Sequence, residues 1–540
     1  MSARLRRECI SIAPISRLPP ELLSLIFCHV RRVTAREWEG LSGAFESPYD
    51  FHQRFEVTEW VKFSHVCHAW REVALSTVSL WSHLTVGSSD YKWAEECLRR
   101  SKESSLVLFA DFPEGESNLN TQDPSRALLR ELRNHVGRCR VLSLRLTTGD
   151  LTNLLSQAET PHLVHFHYSH ISNRNSFTGL RSPPPCINDS ILRADSLRRL
   201  SISRCPVDWS ASIFHRLTHL QLSYIPEESR LNCRAFVYFL VGIPSLQGLD
   251  LCGSLRKGNS DASHVGGNPS DGPHLQYLKY VELTEDPAVI AGFLSSLLIP
   301  PLCKVIINGE GYPDMTAEEF LPALSWVYNQ FHPPTSGSST AIAHQNYWRS
   351  LRIFHLESYF GFQGYTIEEN LERDDILFEH CIWLPDRSDV DDVDVENLPQ
   401  LLFTPLPISH IVYLEIETDS DFSVLSKSMW IAIFGSISTL ESIYIGIKSL
   451  PFFEALSHDP GNLLFPVLSS VIVQGYRPNY EAVLRSLRWR SQLGVPLKRL
   501  VIERCLIVPS SVQRQLREVV GQVEVIDHRA FGSTTEVKRM

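Results

Sequence analysis

The sequence predicts a mixed α/β protein in which a small N-terminal helical module precedes a long, irregular array of strand–helix units. Three observations predict it. The 540 residues are 43% hydrophobic and 21% charged, a globular composition with room for three or four domains of about 150 residues or for one repeat array. Two N-terminal segments, 15–30 and 60–74, space their apolar residues as helices do. From Cys139 onward the chain repeats a phrase that is apolar at its first, fourth and sixth positions.

In the first segment, Pro19 and Pro20 suit the start of a helix, where a missing N–H costs nothing. Glu21 then sits near the positive end of the helix dipole. Apolar residues at 22, 23, 25, 26, 27 and 30 cover an arc of roughly 200°, about twice the stripe one core demands. A helix apolar on two sides needs a second surface, which a partner can supply. The second helix places Phe63, Val66, Cys67, Trp70, Val73 and Ala74 at helical spacing, and Leu80 to Val86 closes the module. Residues 31–59, with Gly40, Gly43 and Pro48, read as a surface insertion.

The repeated phrase is fullest at Leu197-x-x-Leu200-x-Ile202-x-x-Cys205 and Leu497-x-x-Leu500-x-Ile502-x-x-Cys505. Its clearest run starts at Ile411, Leu440, Leu468 and Leu497, steps of 29, 28 and 29 residues. Positions four and six lie two apart, so they share one face of a strand and point into the core. Helical segments fall between the phrases at 424–434, 480–492 and 510–520, the last opening with the capping-box spacing Ser510-x-x-Gln513. Val523 to Ile526 reads as a closing strand. Such alternation implies parallel strands joined by right-handed crossovers. A doubly wound sheet would also alternate, but the glycine-rich phosphate turn it wants after its first strand is absent.

Leu18-Pro19-x-Glu21-Leu22-Leu23-x-x-Ile26-Phe27, Val66-Cys67-x-x-Trp70 and Leu80-Trp81 together resemble an F-box, and the phrases that follow resemble leucine-rich repeats. His68 departs from the Lys or Arg usual in the F-box, and the long first connection resembles the expanded fungal F-box families. The resemblance implies a three-helix module at 13–86 with its insertion at 31–59. A linking segment or cap at 87–138 would follow, then an irregular leucine-rich-repeat-like solenoid over 139–530, interrupted at 254–272, 309–347 and 361–400. Residues 531–540 read as a disordered tail. It implies docking on the Skp-type adaptor of a Skp–cullin–F-box ubiquitin ligase and, through it, on a cullin. Leu18, Pro19, Leu22, Ile26, Phe27, Val66, Cys67 and Trp70 would form or brace that interface, with Leu22, Ile26 and Phe27 on the outward face of the first helix.

A target protein would then meet the outward strand face, at positions two, three and five of each phrase. In the C-terminal run Tyr413, Glu415, Tyr444, Lys498 and Arg499 are the candidates. Two other readings stay open: a binding scaffold with no ligase role, and an enzyme built on the repeats.

The chemistry-bearing groups favour a binding protein that is not an enzyme. The histidines at 162, 165, 167 and 170 have no carboxylate or cysteine to complete a ligand set, so we expect polar strand faces and no metal. The acidic run from Asp386 to Glu396 lacks the spacing of a calcium loop. Phosphate-binding, dinucleotide, nucleophile-elbow and zinc-protease motifs are absent, so no cofactor is expected. Arg485, Arg488, Arg490, Lys498 and Arg499 make the one basic neighbourhood and read as a solvated face. Counts of 51 Lys plus Arg against 61 Asp plus Glu give a net charge of −10, which argues against nucleic acid or membrane as partner. The 12 cysteines show neither zinc-ribbon nor redox spacing, and no apolar run reaches membrane-spanning length. An intracellular protein, cytoplasmic or nuclear or both, with reduced thiols is the expectation.

Overall fold

The structure, a computed structural model, describes residues 14–39, 59–87, 91–112, 124–155, 158–171, 185–189, 191–257, 275–300, 303–309, 317–331, 348–356, 359–365, 376–383, 403, 406, 408–418, 425–446, 450–457, 463–474, 479–503 and 508–526. It is a mixed α/β protein whose strands are mostly parallel. The residues divide into two units, 1–256 with 275–278, and 257–274 with 279–540.

The first unit opens with helix α1 (Pro20–Glu39), a 3-10 segment (Glu59–His65), helix α2 (His68–Ser76) and a second 3-10 segment (Val78–Ser82). Helix α1 runs on into the expected insertion, and residues 40–58 of that insertion lie outside the described residues. Strands β1 (His83–Val86), β2 (Leu106–Asp111), β3 (Cys139–Leu146), β4 (His165–His170), β5 (Arg199–Ser203), β6 (His219–Ser223) and β7 (Gly248–Cys252) follow. Each pairs in parallel with the next in chain order. Parallel neighbours need a crossover, and helices α3 (Tyr91–Ser101), Pro124–Arg133, Thr148–Leu155 and Cys233–Val241 supply several of them.

The two-residue period decides which face is core. Leu142, Phe166, Leu200, Leu220 and Leu249 form one aligned row, and Leu144, Tyr168, Ile202, Leu222 and Leu251 the next, all buried. After β5, β6 and β7 the residues Arg204, Tyr224 and Gly253 take the left-handed conformation, with φ of 60°, 52° and 54°. That corner swings the next residue inward, so Cys205, Ile225 and Ser254 are wholly buried. The cysteine that ends the first full phrase is thereby explained as core after a left-handed turn. Cys505, its counterpart, lies outside the described residues.

The second unit holds β8 (Tyr280–Thr284), β9 (Lys304–Asn308), β10 (Ser350–Leu356), β11 (Tyr359–Tyr365), β12 (Ile376–Trp383), β13 (Tyr413–Thr418), β14 (Ser442–Ile445), β15 (Ser470–Gln474), β16 (Arg499–Glu503) and β17 (Gln522–Ile526). Their spatial order departs from chain order. β9 pairs in parallel with β12, β12 and β10 flank β11 antiparallel, and β10 pairs in parallel with β13. From β13 to β17 the strands again follow one another in parallel.

The sequence predicts an insertion over 361–400, yet β11 ends and β12 lies inside that span; the insertion predicted over 309–347 likewise contains helix Leu321–Phe331. Gly364 of β11 makes room for a neighbouring side chain: a Cβ there would lie 2.4 Å from the indole of Trp348, which is completely buried. Ser510 does not form the capping box either. The helix N-cap is Pro509, and Gln513 donates to Val508 O at 3.0 Å. The acidic run at 386–396, the centre of the 254–272 stretch and the tail at 531–540 lie outside the described residues.

An aromatic core binds β11 and β12 to their neighbours. Trp348 stacks on Phe378 at 5.7 Å, and His380 sits 5.0 Å from the ring of Phe320. His380 is fully buried and donates from Nδ1 to Ile307 O at 3.1 Å. Burial pushes its imidazole down to about 4. An unfolded histidine takes its proton near pH 6.5, so the unfolded state gains protons that the folded state refuses. Stability should therefore fall as pH drops from about 6.5 towards 4, by up to about 1.4 kcal/mol per pH unit from this group. His380→Asn keeps a donor for Ile307 and should flatten that part of the stability–pH curve in urea titrations. An unchanged curve would place the acid sensitivity elsewhere.

Candidate functional site

Two surfaces follow from this fold, and the N-terminal one begins at Pro19. Leu22 and Leu23 both donate their N–H to Pro19 O at 3.1 Å, so Pro20 occupies the first helical position, where proline is tolerated. Helix α1 then divides its apolar residues between two directions. Leu23 and Phe27 point inward and are 4% and 1% exposed. Leu22, Leu25, Ile26 and Val30 point outward at 45%, 64%, 37% and 41%. Ile15 and Val66 are exposed as well.

Phe27 is a correction: it does not belong to the outward face. Its ring stacks on Phe63 at 4.6 Å and meets Trp70 at 5.0 Å. One residue is 100° of helix, so the neighbour of an outward Ile26 can turn into the core. Trp70, Cys67 and Leu18 are half-buried, and Pro19 is exposed. The segment expected as one helix over 60–74 is two, broken at Val66 and Cys67. Cys67 is the extended N-cap of α2, and the break leaves Val66 half exposed.

The module is fastened to the rest of its unit. The Arg31 guanidinium donates to Ser79 O, and Cys28 Sγ lies 3.0 Å from Ser79 Oγ. Trp81 donates from Nε1 to Ala74 O at 3.1 Å. Its ring meets Trp60 at 4.9 Å and Trp93 of α3 at 5.6 Å, with the Arg100 guanidinium over it at 4.6 Å. The exposed apolar group therefore stands on a rigid base whose core is made of other residues.

The second surface is the strand face opposite the leucine rows. In the second unit, register aligns Tyr413, Ser442, Ser470 and Arg499 in one row and Glu415, Tyr444, Ile472 and Val501 in the next. Glu415 and Tyr444 are each only 3% exposed, which corrects the expectation that they face a target. The reason is lateral pairing, since strands about 4.8 Å apart press equivalent side chains together. Glu415 accepts from Tyr413 Oη at 3.3 Å and faces Arg352 Nε at 3.4 Å. Arg352 also pairs with Glu417. Tyr444 donates to Gln474 Oε1. Arg499 is held by Glu524 through bonds of 3.0 and 3.2 Å. Lys498 is exposed and Tyr413 half-buried.

In the first unit, register builds a polar ladder that sequence reading missed. His167 Nδ1 lies 2.7 Å from Ser201 Oγ, Ser201 donates to Gln221 Oε1, and Gln221 Nε2 donates to Asp250 Oδ2 at 2.8 Å. Each residue belongs to the next strand, at separations of 34, 20 and 29 residues. With the Ser201 proton committed to Gln221, the imidazole donates to Ser201 and does not take its proton. Burial pushes His167 down to about 4, so it is neutral at pH 7. The ladder is thus a structural polar chain rather than an activated serine. Only the alternation of histidine and serine across successive phrases hinted at it.

Among the described residues no group of three or more His, Cys, Asp or Glu side chains is placed to hold a metal ion, and no helix is long and apolar enough to cross a membrane. No protein-family model matches the sequence, and no curated protein matches it.

Proposed function

We propose that the chain is the substrate-receptor subunit of a Skp–cullin–F-box ubiquitin ligase, docking the adaptor through its N-terminal helices and a target protein through its strand array. The observation that carries this reading is the division of α1. Leu22, Leu25, Ile26 and Val30 stay exposed while Phe27, Phe63 and Trp70 make a separate core. An isolated exposed leucine means little, whereas a contiguous apolar group on one helix marks an interaction site. Each such side chain, once covered, contributes about 1.5–3 kcal/mol. In this role the chain performs no bond chemistry. It holds a target near the ligase and raises the effective concentration of the acceptor lysine. The repeated phrases with their buried fourth and sixth residues suit the leucine-rich-repeat-like solenoid that would present the target surface.

The test uses the full chain with a purified Skp-type adaptor. Ile26→Asp should weaken binding by about 2–4 kcal/mol, because the interface must desolvate an unpaired carboxylate. Stability should stay near wild type, because Ile26 is already exposed. Calorimetric titration with the adaptor measures the first, and thermal melting the second. Wild-type affinity in a folded Ile26→Asp protein would sink the docking assignment. Adaptor binding without co-eluting cullin from cells would favour a scaffold without ligase function.

A further inference from the structure

The first unit sets two adjacent exposed arginines, Arg198 and Arg199, at the edge where neighbouring strands β4, β5 and β6 begin, although the chain carries a net charge of −10. Parallel pairing sets His165, Arg199 and His219 side by side on β4, β5 and β6, about 4.8 Å apart. Arg198 precedes them on the same edge. Its N–H donates to Val164 O at 2.9 Å and its carbonyl accepts from Thr218 at 2.7 Å, so the ladder holds its backbone in place.

Both arginines are exposed. Arg198 turns Nη1 to Leu197 O at 2.9 Å, and neither guanidinium pairs with a carboxylate among the described residues. His219 is fixed from the other side. A Cβ on Gly248 would lie 2.6 Å from its ring, so the imidazole rests over the Gly248 backbone. Burial first, and then the neighbouring His167, Arg199 and His219, hold His165 down to about 3, so the row's imidazole at 165 is neutral and the charge here belongs to the arginines. No carboxylate stands in the His165–Arg199–His219 row or at Val164, Arg198 and Thr218 beside it; Glu159 and Asp195 lie in the turns before the strands.

We propose that this edge receives an acidic segment of a protein partner, whose carboxylates pair with Arg198 and Arg199 and whose chain lies along His165 and His219. Arginine suits this role because its planar fork matches a carboxylate with two parallel bonds. A nucleic acid fits less well. Duplex binders neutralise about 6–10 phosphates, far more than two neighbouring arginines reach, and the net negative charge repels a long polyanion. The inference rests on the receptor reading only in making this segment part of the target.

Fluorescence anisotropy of the full chain tests it, with a labelled glutamate-rich peptide, its glutamine-rich counterpart and a single-stranded DNA oligonucleotide as probes. The glutamate peptide should bind and the glutamine peptide should not. The double variant Arg198→Gln/Arg199→Gln should weaken binding by about tenfold or more, while Arg485→Gln, at an exposed arginine on the helix Tyr480–Gln492, should leave it unchanged. Melting curves check that the variants fold, and Arg199→Gln alone should show an intermediate loss. The inference is overturned if the glutamate peptide fails to bind, if the double variant binds it equally, or if the oligonucleotide binds more tightly. Adaptor affinity, measured in parallel, should be unaffected by the double variant. An adaptor that fails to bind the wild type overturns the receptor reading and leaves the peptide result standing.

Discussion

Replacing Phe27 with alanine should destabilise the N-terminal module by about 3–5 kcal/mol. Phe27 is 1% exposed and packs its ring on Phe63 and Trp70, so removal opens a cavity between these two aromatic groups. Those neighbours are anchored separately, Trp70 on α2 and Phe63 on the 3-10 segment, and cannot both collapse into the gap. Adaptor binding should then fall as a consequence of unfolding, with loss of near-ultraviolet aromatic signal at the same temperature. The adjacent Ile26→Asp should do the reverse, sparing the melt and removing the binding. This opposition is the sharpest check on how α1 divides its faces. If both variants lost binding with stability intact, Phe27 would belong to the docking surface after all.

The second large effect is expected at Arg490. It lies on helix Tyr480–Gln492, in the basic neighbourhood that sequence reading took for a solvated face, yet it is completely buried. Its Nη1 donates to Leu464 O at 2.9 Å, and Nη2 donates to Phe465 O at 3.0 Å. These carbonyls belong to the turn that leads into β15, where Phe465 takes a left-handed φ of 53°. The guanidinium thus fastens an unfavourable turn to a helix. Burial pushes Arg490 down to about 10, so these bonds only partly replace the water it has lost, yet it remains charged at neutral pH.

Arg490→Ala leaves buried carbonyls unpaired and a cavity besides, and should cost about 4 kcal/mol. Arg490→Met keeps the stem packing and regains the desolvation of the charge, so its cost should be nearer about 2 kcal/mol. Urea denaturation of the two variants measures the difference. A cost under about 1 kcal/mol for alanine would mean that the turn finds other donors.

What was legible in the sequence is what a strand or helix decides locally. The phrase at Leu197 declared that Leu200 and Ile202 share a buried face, and the helix over 480–492 lies where its spacing put it. Side-chain alternation and helical periodicity depend only on near neighbours, so one segment suffices to read them. The strand face was likewise right in parity for Glu415 and Tyr444, and wrong in accessibility.

The doubled apolar arc of α1 announced two packing surfaces, but it did not say that Phe27 turns inward and Ile26 outward. The helices that met α1 decided that. Tertiary structure also set β12 beside β9, laid Trp348 over Gly364, and buried Arg490 beneath a turn from another part of the chain. It brought Arg199 between His165 and His219, residues that sequence separates by 34 and 20 positions. Each of these depends on which strand lies next to which, and lateral contact carries no period along the chain. The sequence by itself determined the phrase-bearing strands and the buried parity of their fourth and sixth residues; the order in which the strands meet decided which polar groups remain for a partner.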